Sequence, residues 1–88
     1  MGVEFLPSAD RHGIPREDAL YAMTHAEGVE ELEGNPGEVT RVYVGRAHAQ
    51  TDRRLEVIAA HRPPRTIVIF HAMELSDLFR DLMKEDDA

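Results

Sequence analysis

Six side chains between residues 41 and 71 can together do phosphodiester chemistry: Arg41, Arg46, Arg53, Arg54, Glu56 and His71. Cleaving RNA without a metal needs a base for the 2′-hydroxyl, a cation against the charge growing on the phosphate, and an acid for the leaving oxygen. His71 and Glu56 supply the acid and the base, and Arg54 completes the catalytic set. Arg46, Arg53 and Arg41 supply further phosphate contacts, and arginine is the cation best shaped to grip phosphate with two donors. Arg54 and Glu56 are two residues apart, so on a strand they leave the same face. An antiparallel neighbour ending at His71 brings the imidazole toward the start of that strand, near Arg53 and Arg54. The structural alternative is that Glu56 pairs with a neighbouring arginine across the ladder while His71 satisfies a backbone carbonyl.

These residues need a sheet to position them, and the chain offers one. Thr66 to Met73 is β-branched and aromatic with little polar alternation, as expected of a strand covered on both faces. Arg53 to His61 is a second strand, Arg41 to His48 a third, and Gln50-Thr51-Asp52 the turn between these two. Pro63 and Pro64 lack the amide hydrogen of a ladder and mark the return between the other pair. Such short connections predict an antiparallel meander. Upstream, Pro7 to His12 forms a short helical turn closed by Gly13, and Pro15 opens a helix over 15–25 with Glu17 and Asp18 complementing its dipole. Ala19, Leu20, Ala22 and Met23 are its apolar stripe. Leu75, Leu78, Phe79, Leu82 and Met83 recur at helical spacing and predict a C-terminal amphipathic helix. Ser8 and Ser76 stand near helix starts and read as caps. The expected fold is therefore α+β: a small antiparallel sheet of three to four strands, an N-terminal helix or helix pair, and a C-terminal helix.

At 88 residues the chain is a single domain over 1–88 with one modest core. Cysteine is absent, which excludes disulfides and thiolate chemistry. The five histidines His12, His25, His48, His61 and His71 have no metal-ligand spacing, so neither metal nor cofactor is expected. No apolar run is long enough to cross a bilayer, and a cytoplasmic location follows as the expectation. The formal charge of -7 seems to oppose nucleic acid, yet the acids cluster. Residues 27–38, with Gly28, Gly34, Asn35, Pro36 and Gly37 as punctuation, read as an acidic loop, and 84–88 as a disordered acidic tail. The segment 39–65 is basic. Arginine-bearing strands are thus expected to gather positive charge on one surface.

Several strings resemble a known family. His12-Gly13-Ile14 followed by Glu17-Asp18-Ala19, then Val42-Tyr43-Val44-Gly45-Arg46, Arg54-Leu55-Glu56-Val57-Ile58 and Ile67 to Met73 look like the BrnT-type toxins of the RelE/ParE-like group. The resemblance spans about residues 10–83. It implies helices on one side of an antiparallel sheet whose open face meets RNA; the ribosome is the alternative partner. It also implies the toxin of a type II toxin–antitoxin module, a metal-independent endoribonuclease acting on mRNA and neutralised by a cognate antitoxin. Met73 departs from the pattern, since such chains tend to carry an arginine there and a thioether cannot hold phosphate. That departure leaves open a non-catalytic module that binds an antitoxin or a second copy of itself.

Overall fold

The computed structural model describes residues 2–83, so the expected acidic tail at 84–88 lies outside the described residues. Three long strands form the centre: β3 (Val39–Arg46), β4 (Arg54–Arg62) and β5 (Thr66–Glu74). They pair antiparallel as the short connections dictate. Two edge strands extend this meander. β1 (Gly2–Phe5) lies parallel to β5, and β2 (Gly28–Leu32) lies antiparallel to β3, giving the order β1-β5-β4-β3-β2.

The expected architecture is corrected in three places. The sheet is mixed and has five strands, because the first residues add an edge to β5. The segment expected to be an acidic loop contains β2, whose glutamates Glu30 and Glu31 sit on an edge strand. Charge on an edge discourages pairing with another chain, so acidity and strand structure are compatible there. Finally, the C-terminal apolar repeat forms 3₁₀ turns over Asp77–Leu82 rather than an α-helix, with Phe79 outside helical geometry at φ -117° and ψ 15°. Leu78 is 79% exposed while Phe79 and Leu82 are only half-buried, so the repeat does not present one continuous apolar stripe to the core. The Arg80–Asp77 ion pair at 2.7 Å spans three residues, the interval that a 3₁₀ turn eclipses.

The one α-helix among the described residues, α1 (Arg16–Thr24), packs across β3 and β4. Its stripe buries Ala19 and Ala22 fully and Leu20 and Met23 in part, against Leu55, Val57, Ala59, Ile69 and Ala72. Small residues let the layers approach closely. A Cβ at Gly45 of β3 would lie 3.1 Å from the carbonyl carbon of Ala22, so glycine there is what allows the helix backbone to rest on the sheet. Ahead of the helix, a 3₁₀ turn (Pro7–Asp10) is followed by Gly13, whose φ of 71° suits only glycine well.

The opposite sheet face carries Thr40, Val42, Val44, Glu56, Ala60 and Val68, all buried. The C-terminal turns cross it at the β2 edge, where a Cβ at Gly28 would collide with the Leu82 carbonyl.

Candidate functional site

Strict alternation along β5 would place Ile69 on the helix face, Phe70 on the other and His71 back on the helix face. A bulge prevents this. Ala59 pairs with Ile69 and the next residue, Ile58, pairs with His71, so Phe70 is an extra residue in β5. The phase shifts by one, and His71 joins Glu56 on the face away from α1. Its Nε2–H donates to Glu56 Oε2 at 2.8 Å.

Glu56 is 3% exposed and both of its oxygens are engaged. Oε1 accepts from the Ser76 backbone N–H at 2.8 Å and from the Ser76 hydroxyl at 2.6 Å. Three donors thus hold a buried carboxylate, which ties β4 to β5 and to the chain entering the C-terminal turns. Ser76 stands at a helix N-cap position, yet its side chain makes no cap bond and serves Glu56 instead. His71 is 26% exposed. With Nε2–H committed to the carboxylate, Nδ1 of the neutral ring is the atom left as acceptor.

A second imidazole stands beside it. The His12 ring, exposed in the loop before α1, lies edge-on to His71 with centroids 5.8 Å apart and planes at 73°. The Ser8 hydroxyl donates to the Phe70 carbonyl at 2.7 Å, fastening the turn that carries His12 to the bulge that carries His71. No short-range spacing links His12 with His71. Their contact depends on β1 pairing parallel with β5, which the sequence reading did not include.

The arginines are distributed differently from the expectation. His71 lies opposite Ile58, four residues from Arg54, which places it roughly 13 Å along the strand from Arg54 rather than beside it. Arg46 and Arg54 face each other across β3 and β4 on the same side as Glu56. Both are held by Glu27, at 3.6 Å and 3.1 Å, with Asp52 at 3.9 Å from each. Arg53 turns to the helix side and pairs with Glu74 at 2.6 Å, which holds the guanidinium above its ordinary pKa. Arg41 stands opposite Ala59, a core residue under α1, so it also belongs to the helix side. Its charge adds to burial in pushing the His61 imidazole below its usual pKa, and His61 Nε2 is 2.6 Å from the Tyr43 hydroxyl. The single basic surface expected from the sequence is therefore split between two faces. Carboxylates of residues 27–38 fold onto it: Glu27 on Arg46 and Arg54, and Glu38 on Arg62.

A concavity of about 400 Å³ begins one residue from His71, lined by Ser8, Asn35, Thr40, Arg62, Val68 and Phe70 among others. Among the described residues, no group of three or more His, Asp or Glu is placed to hold a metal ion. None of the described helices is long and apolar enough to cross a membrane. Comparison with protein-family models, curated proteins and solved structures finds no match for the chain.

Proposed function

We propose that this chain is the toxin of a two-component toxin–antitoxin pair of BrnT type, a metal-independent endoribonuclease acting on mRNA in the cytoplasm. The observation that carries the reading is the imidazole of His71, partly exposed and oriented through Nε2 by a buried carboxylate. Such a pairing fixes the ring and its tautomer, which is what a general base requires. Glu56 acts through His71, since both of its oxygens are already bonded. Arg46 and Arg54 lie farther along the strands, where a phosphate would have to compete with Glu27. The concavity at Phe70 has room for a base beside the reacting phosphate.

Expression in a bacterial host tests the reading. Wild type is expected to arrest growth and, when purified, to cut RNA in the presence of a metal chelator. His71→Ala should do neither while keeping its fold by circular dichroism. A wild-type chain that is harmless and leaves RNA intact ends the proposal.

The ion pairs of the arginines favour a second reading, a non-catalytic module that binds an antitoxin or a second copy of itself. Arg46, Arg54, Arg53 and Arg62 each already hold a carboxylate, so phosphate must compete with internal partners. Light scattering and copurification with the product of an adjacent gene separate the two, because this module would bind its partner and leave RNA uncut.

A further inference from the structure

We propose that His12 is the second catalytic residue of the ribonuclease centre, the general acid that protonates the leaving 5′-oxygen while His71 accepts the 2′-hydroxyl proton. The proposal rests on the ribonuclease reading above and assigns a group that the reading leaves out.

Transphosphorylation needs two proton transfers at one phosphate, and a single imidazole oriented by Glu56 provides one of them. Glu56 cannot provide the other. It is 3% exposed, with Oε2 on His71 and Oε1 on Ser76. His12 is the exposed titratable group placed against the His71 ring, at 5.8 Å between centroids. That separation is short enough for both rings to reach oxygens of one phosphate, and the edge-on angle of 73° keeps the two rings from stacking face to face.

The placement is built rather than incidental. Gly13 N–H donates to Asp10 O at 3.1 Å and Arg11 N–H to Ser8 O at 3.3 Å, closing the turn before and after His12. Arg16 grips both oxygens of Asp10, at 3.2 Å and 2.8 Å, joining that turn to the first residue of α1. Ser8 then bonds the backbone next to His71. Each ring is therefore carried on backbone fastened to the other's.

The step balances without an added reagent. The 2′-oxygen bonds to phosphorus as the bond from phosphorus to the 5′-oxygen breaks. The 2′-hydroxyl proton passes to Nδ1 of His71, and a ring proton of His12 passes to the departing 5′-oxygen. The products are a 2′,3′-cyclic phosphate and a 5′-hydroxyl, and exchange with water restores both rings.

The test uses the full chain, a metal chelator and an oligoribonucleotide in two forms, ordinary and with sulfur replacing the 5′-bridging oxygen at the linkage that wild type cuts. A thiolate leaves without a proton, so it relieves the loss of an acid and not the loss of a base. His12→Ala and His12→Gln are expected to cut ordinary RNA about 10²- to 10⁴-fold more slowly than wild type. On the sulfur linkage both should recover to within about tenfold of wild type, whereas His71→Ala stays slow on both. His12 variants that cut ordinary RNA at the wild-type rate, or that fail to recover on sulfur, overturn the assignment and leave the ribonuclease reading standing. A wild-type chain that cuts neither form removes both.

Discussion

At position 56 three donors converge on a buried side chain, and each loses its acceptor if that side chain is removed. Glu56→Ala should therefore cost about 3 kcal/mol, the range for leaving buried polar partners unpaired, measured by urea denaturation. Glu56→Gln keeps an oxygen for Ser76 but turns an N–H₂ toward His71, so it should cost less and reverse the His71 tautomer, visible in ring-nitrogen NMR shifts. His61 gives the pH dependence. Burial, with Arg41 as the smaller cause, lowers its folded pKa below 6.5, so just beneath that value the unfolded chain binds more protons. Stability should be full above about pH 6.5 and fall as the pH drops toward the lowered value. His61→Gln should flatten the urea midpoint across that window, and an unchanged slope would place the dependence elsewhere. Glu56 and His71 could be singled out in the sequence because both are ionisable groups in otherwise apolar strands. Their contact could not be derived, because it depends on the extra residue Phe70, and nothing in an apolar run reveals where its phase slips.

Between elements, the tightest constraint is where α1 crosses β3. A methyl group at residue 45 would collide with the Ala22 carbonyl oxygen and lie 3.2 Å from its Cα, backbone that moves only with the whole helix. Gly45→Ala is expected to destabilise by about 1–3 kcal/mol, the usual cost of overpacking, even though alanine suits a strand no worse than glycine does. A neutral result in thermal melting would mean that α1 shifts freely on the sheet. This helix and the three central strands were legible because each has its own pattern: proline and acids at the start of α1, apolar runs in β3, β4 and β5. β1 and β2 were not. They have four and five residues, mostly exposed, and owe their pairing to the strands beside them. The C-terminal repeat failed in the other direction. Helical spacing of Leu75, Leu78, Phe79 and Leu82 signals a helix only where a core awaits it, and here Ser76 is anchored to Glu56 while Leu78 faces water.

For the whole molecule, the distribution of charge decides what it can bind. Composition correctly separates an acidic stretch from a basic one along the chain, but it carries no information on whether they meet in space. They do meet: Glu27 lies between Arg46 and Arg54, with Asp52 near both, so the net charge of -7 is not offset by an open cationic face at that place. Glu27→Gln removes the shared anion while leaving an amide of the same shape. If RNA runs along this face, the variant should bind single-stranded RNA more tightly than wild type. Its affinity should also fall more steeply with salt, because each phosphate contact on a single strand contributes about -0.7 to the slope of log K against log salt. Two released guanidinium groups would steepen that slope by roughly 1.4. Affinity and slope equal to wild type would mean that RNA does not reach Arg46 and Arg54. The arginine pair would then be a brace joining the start of β2 to β3 and β4, and the case for a nucleic-acid face would rest on the His71 end of the sheet alone.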